Sequence, residues 1–116
     1  MGVHRVDDTP LGAAVFEAFG ENDAYDADRL GRELEEARPA ATGVVVDLTK
    51  ATFVDSAFVG VLLVQSKVRE QRLAVVVPPD EHNSVRRIFT MAHLTEVLPV
   101  YEDRTSALAA VADRPS

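Results

Sequence analysis

Three runs of consecutive apolar residues, Val44 to Leu48, Leu73 to Val77 and Val97 to Tyr101, are each bounded by polar or turn-forming residues. Because apolar positions follow one another instead of alternating, both faces of each run need cover, as parallel strands in an α/β sheet do. Ala13 to Phe19 reads as a further strand and Val3 to Val6 as an edge strand. Between the runs the period changes. From Asp26 to Arg38 the residues Ala27, Leu30, Leu34 and Ala37 share one stripe, with Arg32, Glu33, Glu35 and Glu36 elsewhere, and Pro39 stops the helix. From His82 to Ala92, Val85, Ile88, Phe89 and Ala92 again make one helical face, and Asp103 to Ala112, with Ala107, Leu108 and Val111, predicts a last short helix. Alternation of strand and helix predicts an α/β fold: one domain over residues 1–116 with its core at about 12–112, and a mostly parallel central sheet of four to five strands with about four helices.

The stretch from Val44 to Leu63, VVVDLTKATFVDSAFVGVLL, departs from this plain alternation. A strand runs into a short polar loop, and the loop delivers Asp55 and Ser56 to the start of a helix. Phe58, Val59, Val61, Leu62, Leu63 and Val64 surround the first two turns of that helix, so it has no polar face until after Gln65. A helix packed on one sheet face of so small a domain has little to bury its other side, and part of this surface is expected to be a protein interface. A serine at such a helix start has two uses. It caps the free N–H groups, worth about 1 kcal/mol, or it carries a phosphate whose charge the helix dipole tolerates.

Composition narrows the chemistry. The chain has 116 residues, 47% hydrophobic and 27% charged, which suits one packed core. It contains no cysteine, which removes disulfides, thiolate metal sites and a cysteine nucleophile. A formal charge of -7 without a basic cluster argues against direct nucleic acid binding and against an anionic membrane surface. With no basic start followed by an apolar run, and no apolar stretch of the roughly 18 residues needed to span a bilayer, a cytoplasmic protein is expected. His4, His82 and His93 show no metal-ligand spacing, the glycines form no phosphate-cradling loop, and Ser56 has carboxylates but no histidine near it in sequence. No metal, no cofactor and no catalytic activity of its own are therefore expected.

The segments Gly20 to Ala24, reading GENDA, and Asp47 to Leu63 resemble the STAS domain of bacterial anti-sigma factor antagonists. Those proteins read approximately G-E-L-D-A, a helix, then V-L-D-L-S-x-V-x-F-x-D-S-x-G-L-G-V-L-L. The resemblance implies that Ser56 is phosphorylated by a partner, an anti-sigma factor with serine kinase activity. It also implies that the unphosphorylated chain binds that factor to release a sigma factor, and that a phosphatase resets the cycle. Asp23 occupies the position of a loop aspartate that contacts the kinase. The partner-binding surface implied is Asp23, Asp55, Ser56, Phe58, Val59 and Leu62. Phe58 stands where glycine is usual, so its ring is to be buried, packed on a partner, or left blocking the usual one, and Asn22 replaces an apolar residue. The alternative is a scaffold module of the same fold that is not phosphorylated, with a weak homodimer formed through Phe58 and the following helix.

Each carboxylate also has a plainer use. Asp23 and Asp55 suit backbone N–H groups at helix starts, and Asp47, inside an apolar strand, needs structural partners. If Ser56 is phosphorylated, like charges within about 5 Å of Asp55 cost on the order of 1 to 3 kcal/mol, which shifts a partner's affinity by about tenfold or more.

Overall fold

A computed structural model describes residues 2–6, 12–68 and 72–112. Five strands, β1 (Gly2–Val6), β2 (Ala14–Asn22), β3 (Gly43–Val54), β4 (Arg72–Val76) and β5 (Val100–Tyr101), form one sheet in that order, with β1 antiparallel to β2 and the other pairs parallel. The helices are α1 (Ala24–Ala37), α2 (Ser56–Ser66), α3 (Ser84–Met91) and α4 (Arg104–Ala112), with 3₁₀ turns at Arg38–Ala40 and Leu94–Glu96. This is the α/β domain expected, with five strands and four helices.

Sequential strand order has a consequence for the layers. Crossovers of one hand between neighbouring parallel strands place their helices on the same face. The larger core accordingly joins Leu30 and Leu34 of α1, Phe58 and Leu62 of α2, and Val85 and Phe89 of α3 to Phe16, Val44, Val46, Leu48, Val75 and Val77. Helix α4 follows the last strand and is free to cover the opposite face, where Ala107 and Val111 pack on Val15, Val45, Ala74 and Val76. Contact there is close. A Cβ at Gly43 would lie 2.7 Å from Val111 Cβ, so glycine lets α4 approach the sheet. The α1 stripe is as predicted: Ala27, Leu30, Leu34 and Ala37 are its buried residues.

Several boundaries differ from expectation. The run from Val97 to Tyr101 is strand only at Val100–Tyr101, because Leu94–Glu96 forms a 3₁₀ turn that leaves Val97 exposed, and Pro99 has no N–H to donate to a ladder. Helix α3 stops at Met91 and Ala92 is exposed, so the buried face is Val85 and Phe89 with Ile88 half-buried. Strands β2 and β3 run on to Asn22 and Val54, well beyond Phe19 and Leu48. The added length contains two breaks in register, between Glu17 and Phe19 and between Gly20 and Glu21, where β3 carries an extra residue. Such bulges bend a strand and spoil its period of two. No helix among the described residues is long and apolar enough to cross a membrane.

Candidate partner-docking site at the ends of β2 and β3

Strands β2 and β3 end side by side, Asn22 opposite Val54, and each runs directly into a helix. The two exits are tied together by the Asp55 N–H, which donates to the Asn22 carbonyl at 3.1 Å. Asp23 caps α1. Its Oδ1 accepts from the N–H groups of Tyr25 and Asp26 at 3.0 and 3.3 Å, and Asp26 Oδ2 accepts from the Asp23 N–H at 3.1 Å, a reciprocal capping box. Asp55 caps α2, its Oδ1 accepting from the Phe58 N–H at 2.9 Å.

That assignment decides the use of Ser56. Serine and aspartate are both good caps and stand next to each other here, but Asp55 holds the extended cap conformation and Ser56 is the first helical residue. The Ser56 side chain is exposed and its hydroxyl has no hydrogen-bond partner among the described residues. The cap reading of Ser56 is thereby corrected, and the plain reading of Asp23 and Asp55 as backbone partners holds. A carboxylate has about four acceptor sites, so one or two backbone bonds leave it able to accept more.

Phe58 and Leu62 fall elsewhere. Both are 0% exposed, in the core between α2 and the sheet, so neither reaches a partner docked on this surface, and a dimer through the Phe58 ring has nothing to pack on. Of the choices open to Phe58, the structure takes burial: the ring fills space under the first turn of α2. Val59 is half-buried. What α2 shows to solvent is Ser56, Ala57 and Val64, the last 66% exposed. Ala57, Gly60, Val61 and Val64 face Ala27 and Gly31 of α1 across a groove of ≈ 560 Å³ that begins beside Ser56.

Two aromatic residues at this tip were not singled out by sequence. Tyr25, in the first turn of α1, is 77% exposed, and Phe53, opposite Glu21, is 45% exposed. The signal for Tyr25 was its place one step beyond the Asp23-Ala24 pair, off the α1 apolar stripe. Phe53 had none, because the bulges hide its strand. Glu21, Asp23 and Asp28 are exposed nearby in the chain, and neither Asp23 nor Asp55 has a lysine or arginine within ion-pair distance among the described residues. The tip thus combines exposed rings with the negative charge of Asp23 and Asp55, whereas Asp28 pairs with Arg32. The Ser84 hydroxyl donates to the Thr52 carbonyl and pins the β3 extension to α3.

Asp47 lies apart from this tip, on the face covered by α4, and belongs to a different cluster. Its Oδ1 accepts from the Thr49 N–H at 2.9 Å and its Oδ2 lies 2.8 Å from Arg104 Nη2, which also pairs with Glu17. Lys50 Nζ lies 3.4 Å and His4 Nε2 2.9 Å from Glu17. Burial alone would raise the Glu17 carboxyl, but the hydrogen bond and charge of Arg104, with His4 and Lys50, outweigh it and hold the group below its ordinary value. Burial likewise opposes the charged form of Arg104, and its bonds to Asp47 and Glu17 reverse this and raise it. Sequence spacing gave no sign of this lock.

Comparison with known proteins places the chain in a family. The profile described as "Mlab, STAS domain" matches residues 6–99, most of the chain, and the protein belongs to the STAS domain family. Among its relatives is an anti-sigma F factor antagonist of Paenibacillus polymyxa, 27% identical over 99 residues, covering 84% of this chain and 85% of the relative. The crystal structure of an anti-sigma factor antagonist from Mycobacterium paratuberculosis superposes with a TM-score of 0.79 at 23% identity, covering 97% of this chain and 96% of that one. The Bacillus cell fate determinant SpoIIAA in its phosphorylated form gives a TM-score of 0.60 at 19% identity, over 95% and 99% of the two chains. At these identities the two structures establish a shared fold.

Proposed function

We propose that this protein is an anti-sigma factor antagonist, a cytoplasmic regulator that acts by binding and not by catalysis, and that its docking is switched by phosphorylation of Ser56. The observation that carries the reading is the exposed Ser56 hydroxyl at the first helical residue, left without a partner among the described residues because Asp55 takes the cap. The names of its Paenibacillus and mycobacterial relatives support the antagonist class, and the phosphorylated SpoIIAA structure supports a phosphate in this fold.

The partner is an anti-sigma factor with serine kinase activity. It brings the nucleotide, transfers the γ-phosphoryl group of ATP to Ser56 Oγ and releases ADP, while the hydroxyl proton passes to a base on the kinase. A phosphatase returns Ser56 and inorganic phosphate with one water. Unphosphorylated, the tip offers exposed Tyr25, Phe53 and Ala57 together with the carboxylates of Asp23 and Asp55, a surface suited to a partner with apolar and basic contacts. A phosphate adds about 1.5 to 2 negative charges beside Asp55, and the resulting repulsion and desolvation lower affinity.

The scaffold alternative loses its Phe58 contact and rests instead on the exposed Val64 of α2. Capture from native cytosol with wild type and Ser56→Glu side by side separates the two readings. The switch predicts a protein retained by wild type and by Ser56→Ala but lost with Ser56→Glu, and phosphate incorporation that Ser56→Ala abolishes. Equal capture by all three forms rejects it, and light scattering that shows a dimer lost with Val64→Lys favours the scaffold.

A further inference from the structure

Asn22 is fully buried at the end of β2, opposite the buried Val54, and its amide is only half used. Nδ2 donates to the Phe19 carbonyl at 3.3 Å and to the Gly20 carbonyl at 3.2 Å, while the buried Oδ1 has no donor among the described residues. An orphaned acceptor in the interior is costly, and an apolar side chain at this position would avoid it. The donor half must therefore supply something that an apolar residue cannot.

What it supplies lies in the strand. Phe19 and Gly20 stand at the two register breaks of β2, where the ladder to β3 is interrupted, and Gly20 has a φ of 66° that turns the chain sharply. The Asn22 amide folds back on these carbonyls and ties the end of the strand to the residues at the breaks. The backbone of Asn22 itself does something else: its carbonyl accepts the Asp55 N–H at 3.1 Å, and the Asp55 carboxylate accepts the Phe58 N–H at 2.9 Å. Hydrogen bonds thus run without a gap from the end of β2, beside the β3 bulges, to the first turn of α2.

We propose that Asn22 is a positioning residue: its buried amide fixes the bent end of β2 so that its carbonyl holds Asp55 in capping geometry and sets the angle at which Ser56 is presented. The structural part stands on these bonds alone. The consequence for phosphorylation rests on reading Ser56 as the switch.

The test is amide hydrogen exchange on the full chain, wild type beside Asn22→Leu and Asn22→Asp, with thermal unfolding of each. Both variants keep the number of side-chain heavy atoms; leucine removes the donor outright, and an ionised aspartate offers acceptors only. The expected result is exchange at the Asp55 and Phe58 amides faster by about tenfold or more, with the central strand amides of Val75 and Val76 unchanged. In Asn22→Leu the midpoint stays within about 4 °C of wild type, because removing the orphaned Oδ1 offsets the lost bonds. Unchanged protection at Asp55 and Phe58 in either folded variant overturns the proposal, as does loss of protection spread evenly over the sheet. If Asn22→Leu does not fold, Asn22→Asp is read by the same criteria. With a kinase that phosphorylates wild type, the variants lower kcat more than they raise KM. A wild type that no partner phosphorylates counts against the switch and leaves the exchange result to judge Asn22.

Discussion

Two groups of carboxylates sit on β2 and β3, and they are satisfied in opposite ways. In the middle of the sheet, Glu17 and Asp47 are largely buried and meet Arg104, Lys50 and His4. At the strand ends, Asp23 and Asp55 accept, among the described residues, from backbone N–H groups alone and carry no paired cation. The cations Arg104 and Lys50 make the first group a lock between α4 and the sheet, with its charge cancelled. Backbone donors fix the geometry of the second group without cancelling its charge, and this leaves it able to meet a basic partner and sensitive to an added phosphate. Carboxylates alone do not mark a site here; the way they are compensated does.

The largest expected effect tests what lies under the open tip. Phe58→Ala removes a fully buried ring and is expected to cost about 3 to 5 kcal/mol in urea unfolding. A loss below about 1 kcal/mol would put the ring at the surface and return it to the docking face, because only a core site carries the cavity cost.

The lock comes next. Arg104→Met leaves Glu17 and Asp47 facing each other without their shared cation. With the Arg104 side chain 34% exposed, the cost falls below that of a fully buried pair, at about 2 to 3 kcal/mol. Acid gives the sign independently. The Glu17 carboxyl is held below its ordinary value of 4.5, so its contribution is complete above that pH and is lost as pH falls through the lowered folded value. Stability of wild type is therefore expected to fall below about pH 4.5 more steeply than that of Glu17→Gln, measured by urea midpoints across the acid range. Equal slopes would show that the pairing contributes nothing, and the contrast between the two groups would fail.

How far the sequence carried depends on the range of the interaction. The stripe Ala27, Leu30, Leu34, Ala37 is local periodicity with one buried face, and it was legible residue by residue. The apolar runs of β3 and β4 were legible for the same reason. The ends of β2 and β3 were not, since two bulges replace alternation by an irregular pattern that no fixed period matches. Arg104 and Glu17 are 87 residues apart, and their pairing follows from the strand order and from α4 crossing behind the sheet, so no spacing rule announces it. Phe58 was ambiguous because α2 is apolar all round; periodicity names an inward face only when the other face is polar. The tip itself was legible as a motif, through Asp23, Asp55 and Ser56, whereas the exposed rings of Tyr25 and Phe53 needed the fold.

The smallest stability effects sharpen the comparison most. Asp55→Ala is expected to cost about 1 kcal/mol, the usual loss for an N-cap, because the Phe58 N–H loses its acceptor. Ser56→Ala, one residue on, is expected to stay within about 0.5 kcal/mol of wild type, because the hydroxyl has no partner to lose. Urea unfolding of the two variants side by side checks the pair. If serine were the cap, the order would reverse, and the hydroxyl would already be occupied by the fold. A neutral Ser56→Ala together with a costly Asp55→Ala places the structural work on the carboxylate and leaves the hydroxyl exposed beside it. A neutral variant that also removes phosphate incorporation would separate the fold from the switch at neighbouring residues.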